Sequence, residues 1–333
     1  MTTDYLLFVH GVNVRPMKAH AESANYADPL IQQITKLNQA SGSPLRLEAS
    51  ELQWYSLMQQ AEAELKALFA RSPNWPKFWF RDFRETRIIP FMGDAALYIS
   101  RYIGSEVARL LLTQSIRFLE NRQAGDRLHL ITHSWGTVIL FDLLFAGRWD
   151  DPKIPGYNDV KTIRSALFGI EPNLDDGIPI ASIHTMGSPI ALANLINLKR
   201  EEMAPKTLTV QETHSVFTHD ITLGLEQFLE ALYQQRQRPL AWKNYAHPGD
   251  PIAYPLATVI PTLLSPLGAK ADYLNIQDLL TSGGGPVEWV SNPFKSTFLA
   301  LANGGNAHSS YWQSKQVAQT ILATVQESEG VAE

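Results

Sequence analysis

Residues 128–138 read LHLITHSWGTV. The apolar run Leu128, Leu130 and Ile131 leads straight into Thr132-His133-Ser134-Trp135-Gly136, and an apolar stretch of helical length follows through Val138, Leu140, Phe141 and Leu144. Strand, tight turn bearing a serine, then helix is the layout of a nucleophile elbow. A serine hydroxyl attacks poorly unless a base removes its proton. Such a turn lifts Oγ clear of the backbone, where a histidine can reach it. The residues flanking the serine must be small, because the helix packs close to the strand; Gly136 meets that need. Taken alone, a serine at a strand-to-helix junction reads equally well as a helix N-cap. The rest of the chain has to decide.

Upstream, Tyr5–Val9 (YLLFV) is an apolar strand ending in His10-Gly11-Val12-Asn13. Downstream, Ile183–Pro189 (IHTMGSP) reads as another strand with a Gly-Ser-Pro turn. Trp242–Pro255 (WKNYAHPGDPIAYP) then places Asp250 just past a strand, and Asn306–Trp312 (NAHSSYW) opens a terminal helix with His308. These five motifs, in this order, span nearly the whole chain, which resembles the α/β-hydrolase superfamily in its lipase and esterase branch. Thr132 departs from the pattern, which usually has glycine there. The order Ser134, Asp250, His308 is the order of nucleophile, acid and base in that superfamily.

The resemblance implies roles for these residues. His308 would act as general base, presented by the loop Asn303-Gly304-Gly305-Asn306. Asp250 would fix its tautomer and stabilise the imidazolium. Asp220 and Asp272 remain rivals for that place, since a Gly-Asp-Pro turn is also an ordinary structural use of aspartate. The oxyanion hole would take one backbone N–H from Trp135 and the other from the loop after the first strand, at Val12. Gly11 would let that backbone approach closely. Among the other histidines, His133 should point into packing, His10 should organise its loop, and His184 should lie in a core strand. His214, His219 and His247 fall in loops. No pair stands at a metal-binding spacing beside carboxylates, so neither metal nor cofactor is expected.

Strands alternating with helices predict an α/β fold, a mostly parallel central sheet flanked by helices. Strands are expected at 4–9, 45–54, 128–132, 182–187, 241–246 and 286–290. Helices are expected at about 22–40, 56–71, 94–121, 220–235 and 309–327. Because the proposed catalytic residues run from position 12 to 308, one sheet must gather them, and residues 1–333 read as a single domain. Within it, 55–121 reads as a helical and aromatic insertion and 199–285 as cap or lid segments.

Composition limits the partners. The chain has 333 residues, 45% of them apolar, and a net charge of −5 with no basic cluster, which argues against nucleic acid. Cysteine is absent, which removes disulfides and thiolate chemistry and fits a reducing, cytoplasmic setting. No signal peptide is read at the start, and the longest apolar stretch, Pro251–Leu264, is too short to span a bilayer. Residues 73–91 carry Trp75, Phe78, Trp79, Phe80, Phe83 and Phe91 among Lys77, Arg81, Arg84 and Arg87. They read either as a connection whose aromatics fill the core or as a lid or interfacial element at a lipid surface. The functional expectation is a serine hydrolase of carboxylic esters, lipid-like or with apolar acyl groups, working through an acyl-enzyme on Ser134. Thioesterase, peptidase or acyltransferase chemistry on the same triad are the alternatives, as is a non-catalytic binding protein of the same fold.

Overall fold

The computed structural model describes residues 2–11, 25–85, 101–193, 219–264, 271–281 and 307–329, together with Ile89 and Tyr98. Six parallel strands form one sheet: β1 (Thr3–Val9), β2 (Arg46–Leu52), β3 (Arg127–His133), β4 (Ile180–Met186), β5 (Leu240–Ala246) and β6 (Leu274–Leu280). The helices are α1 (Asp28–Ala40), α2 (Tyr55–Ala70), α3 (Arg81–Phe83), α4 (Arg101–Phe118), α5 (Trp135–Phe145), α6 (Tyr157–Ser165), α7 (Ile190–Ala193), α8 (Thr222–Arg236), α9 (Val259–Leu264) and α10 (Lys315–Glu329). The fold is α/β, as the alternation of strand and helix predicts.

Strand alternation divides the core in two. Tyr5, Leu7 and Val9 of β1 face one side, with Leu128 and Leu130 of β3, Trp242 of β5 and the buried faces of α4, α5 and α8. Leu6, Phe8, Ile131, Met186 and Tyr245 face the other side, where α1 and α10 cover them. Successive side chains of a strand point to opposite faces, so one apolar run such as YLLFV supplies both layers. Residues 29 and 28 start α1 with Pro29 in its first turn and Asp28 at its positive end.

The strand order is β2-β1-β3-β4-β5-β6. From β1 the chain moves one way to β2, then returns to β1's other side and steps steadily outward. The reversal lies between β1 and β3, and ligands of open parallel sheets bind outside the carboxyl ends of strands at such a switch point. Val9 pairs with Thr132, so the residues that follow, Gly11 and Ser134, leave the sheet side by side.

Several expectations need correction. β6 is the edge strand of the sheet, although its sequence lies inside the stretch read as cap or lid. In the same stretch, β5 and α8 fall where a strand at 241–246 and a helix at 220–235 are expected; β5 is an inner strand, and α8 buries Leu225, Phe228, Leu229 and Leu232 against the core. The expected strand 286–290 and the beginning of the expected 94–121 helix lie outside the described residues, apart from Tyr98. The core-filling reading of the aromatic segment fails at its centre, because Trp79 is 81% exposed and Phe80 72%. Among the described residues no helix is long and apolar enough to cross a membrane.

Candidate active site

Ser134 follows the last residue of β3 and precedes the first residue of α5. Its backbone has φ 55° and ψ −133°, a conformation that L-residues rarely adopt. Such strain persists only where the surroundings over-determine it, and it concentrates at functional sites. The surroundings here are glycines and backbone. A Cβ on Gly11 would overlap the Ser134 side chain, and a Cβ on Gly136 would overlap the His10 carbonyl. The Ser134 N–H donates to the Met186 carbonyl at 2.9 Å, which ties the turn to β4. Thr132, the departure from the glycine pattern, is fully buried and its hydroxyl pairs with that of Thr137 at 2.9 Å. The bulk is accommodated because α5 offers a hydroxyl partner one turn on.

His308 lies on a helical turn at 307–309. Its Nδ1 sits 3.0 and 2.9 Å from the two carboxylate oxygens of Asp250. A carboxylate can only accept, so Nδ1 carries a proton, and it is Nε2 that faces away from Asp250. Asp250 also accepts from the Ile252 N–H at 2.9 Å and the Tyr311 hydroxyl at 2.7 Å. Burial would raise the Asp250 pKa. The hydrogen bond and charge of His308 outweigh burial, with help from Ile252 and Tyr311, and hold the carboxyl below its ordinary range.

Two atoms of this constellation are buried and unpaired: Ser134 Oγ and His308 Nε2. They do not bond to each other. Their neighbourhood is nonetheless shared. A Cβ on Gly187 would stand 2.6 Å from Asp250 Oδ2 and 3.1 Å from His308 Nδ1, while the adjacent Met186 carbonyl holds the Ser134 N–H. From the other side, His133 Nε2 donates to the His308 carbonyl at 2.6 Å, and the two rings lie 4.6 Å apart. His133 is therefore a structural brace between the Ser134 turn and His308. Burial, then the charge of His308, lowers its pKa to about 3, so it stays neutral.

The loop after β1 is held from below. Trp54 is fully buried, stacks on the His10 ring at 5.0 Å, and donates from its indole Nε1 to the His10 carbonyl at 3.1 Å. Its backbone N–H donates to His10 Nε2 at 3.2 Å, while His10 Nδ1 donates to the Gly11 carbonyl at 2.5 Å. Both ring nitrogens are thus committed, and burial lowers the His10 pKa to about 4. His10 organises the loop and stays neutral, with its one ring proton on Nδ1. Val12, expected to supply an oxyanion N–H, lies outside the described residues. The N–H of Trp135, the other expected donor, heads α5, where backbone donors have no intrahelical acceptor.

The rivals for the acid are elsewhere. Asp220 accepts from the Thr222 N–H and hydroxyl at 2.9 and 2.6 Å, which fastens the start of α8. Asp272 is exposed on a 3₁₀ turn before β6. His184 lies in β4, and His219 pairs with Asp142 at 2.9 Å. His247 accepts from the Gly249 N–H, and His214 lies outside the described residues. Tyr311 and Trp54 were not anticipated from the sequence. Tyr311 could have been found, since a residue three after His308 on a helical turn shares its face. Among the described residues no group of three histidines or carboxylates could hold a metal ion. The chain matches no family model and no curated protein.

Proposed function

We propose that the protein is a serine hydrolase of carboxylic esters with apolar acyl groups, working through an acyl-enzyme on Ser134. Ser134 Oγ attacks the ester carbonyl carbon as its proton passes to His308 Nε2. The imidazolium is stabilised by Asp250, and the oxyanion takes N–H donors from Trp135 and Val12. Collapse breaks the bond to the alcohol, which leaves with the proton from His308 Nε2. A water then loses its proton to the same nitrogen, attacks the acyl carbon and releases the acid and Ser134.

The observation that carries this reading is a pair of orphaned atoms. Ser134 Oγ and His308 Nε2 are buried without partners, as are the neighbouring His133 Nδ1 and Trp135 Nε1, while the Asp250 carboxylate that orients His308 is bonded to His308 Nδ1 and Tyr311. Leaving a buried polar atom unpaired costs about 1–3 kcal/mol, and such exceptions call for a chemical reason. The strained backbone of Ser134 supports the same reading. Labelling with a fluorophosphonate probe tests it. The wild type should label, and Ser134→Ala and His308→Ala should not; a folded wild type that fails to label and to cleave p-nitrophenyl esters of any chain length overturns the proposal.

A further inference from the structure

No residue from Ala63 to Asp82 is buried, so the second half of α2 and the turns after it stand out from the body. This arm has an order of its own. Phe69 stacks on Trp75 with centroids 5.2 Å apart, and Trp75 packs on Phe78 at 5.5 Å. The Trp75 indole donates to Glu85 at 2.9 Å. Arg84 lies 5.5 Å above the Phe78 ring and donates to the Trp79 carbonyl at 3.2 Å. These contacts fix the turn while leaving its apex bare: Trp79 is 81% exposed and Phe80 72%, and Leu68 on the adjoining end of α2 is 58% exposed.

Phe80 adds an independent observation. Its φ of 57° is left-handed, a region that bulky residues avoid and glycine adopts freely. A turn of this shape could be made by glycine at lower energy. It is made instead by an aromatic side chain that points to solvent, beside a second one that does the same. Neither contributes to the core, and strain held at a bare apolar apex points to a partner.

The charge around the apex indicates which. Residues 71–85 hold Arg71, Lys77, Arg81 and Arg84 against Asp82 and Glu85, four cations to two anions, in a chain whose net charge is −5. All four cations are exposed. Aromatic rings amid lysine and arginine match the boundary of an anionic bilayer, where rings sit at headgroup depth and long cationic side chains reach the phosphates.

We propose that the arm docks the protein on an anionic lipid surface, with Trp79 and Phe80 entering the headgroup region and Lys77 and Arg81 meeting lipid phosphates. The inference rests on the arm alone and stands or falls apart from the hydrolase reading.

The test is co-sedimentation with phosphatidylcholine vesicles, with and without phosphatidylglycerol, in a Ser134→Ala background so that no lipid can be consumed. Binding should require the anionic lipid and weaken with added salt. The Trp79→Ala/Phe80→Ala pair and the Lys77→Glu/Arg81→Glu pair should each bind at least about tenfold less well, with unchanged melting temperature, since all four side chains are exposed. Phe80→Gly should melt higher and still bind less. Equal binding by the variants overturns the proposal, as does an absence of binding by the parent. A concentration-dependent dimer in velocity sedimentation that Trp79→Ala/Phe80→Ala abolishes also overturns it, by assigning the apex to a second copy of the chain.

Discussion

Asp250 and His308 stand 58 residues apart in the chain, and a carboxylate oxygen of one lies 2.9 Å from Nδ1 of the other. The sheet makes this possible: Asp250 follows the inner strand β5, and His308 precedes the helix that covers the same sheet face. Asp250→Asn should keep the fold but present an amide where the ring needs an acceptor. Turnover of a p-nitrophenyl ester should drop by about 10⁴, the effect of losing tautomer and charge stabilisation in comparable triads. Asp272→Asn should leave turnover unchanged. Asp220→Asn should cost about 1 kcal/mol of stability at most through its bonds to Thr222, with turnover intact. A crippled Asp220→Asn and a normal Asp250→Asn would reverse the assignment.

Ser134 joins a strained backbone to the proposed nucleophile. Ser134→Ala should abolish hydrolysis, by about 10⁶ where nucleophile and base act as a unit. It should not lower stability, since the lost hydroxyl has no partner. Ser134→Gly should be equally inactive and more stable by about 1 kcal/mol, because glycine accepts a φ of 55° without strain. Urea unfolding beside ester kinetics checks both arms.

Much of this site could be read from the chain because each part is local. YLLFV, LHLITH and the turn residues that follow them are short, continuous and chemically distinct. What escaped was set by contacts between distant segments. β6 (LNIQDLL) is an edge strand with Asn275, Gln277 and Asp278 along it, so its apolar signal is weak and its neighbours made the region look like a lid. Trp54 reads as the end of β2, and only the fold brings its indole beneath His10. Aromatic composition alone could not say whether Phe78–Phe80 turn inward, since the same residues fill cores and cap exposed turns.

Trp54 supplies a test of how the loop after β1 is positioned. Trp54→Phe keeps an aromatic ring against His10 but removes the indole donor to the His10 carbonyl. Stability should fall by about 1–3 kcal/mol, the cost of leaving a buried carbonyl unpaired together with lost volume. If that loop supplies an oxyanion donor, kcat should fall by more than the folded fraction explains while KM changes little, since the interaction is made in the transition state. A proportional loss in both would leave Trp54 as a packing residue only.

Acid should remove the stabilising effect of two buried histidines before the aspartates are protonated. His10 and His133 are buried and neutral, and burial lowers their pKa from 6.5 to about 4 and about 3. The unfolded chain takes up their protons first. Their stabilising effect is therefore complete above pH 6.5 and lost as pH falls through the interval down to the folded values. At pH 5 each should contribute about 2 kcal/mol less than at pH 8. Asp4, Asp142 and Asp250, held below the ordinary carboxylate range, add their losses only at lower pH. Urea titrations at pH 8, 6.5 and 5 should show this histidine loss mainly below 6.5, opposed by Glu51, whose carboxyl burial raises to about 7 and which therefore favours the folded state as pH falls. His10→Asn should be less stable throughout, because it loses the stack on Trp54, yet show a shallower fall between pH 6.5 and 5. An equal slope in wild type and variant would mean that His10 titrates in the folded protein as it does in the unfolded chain, and that burial does not hold its ring neutral.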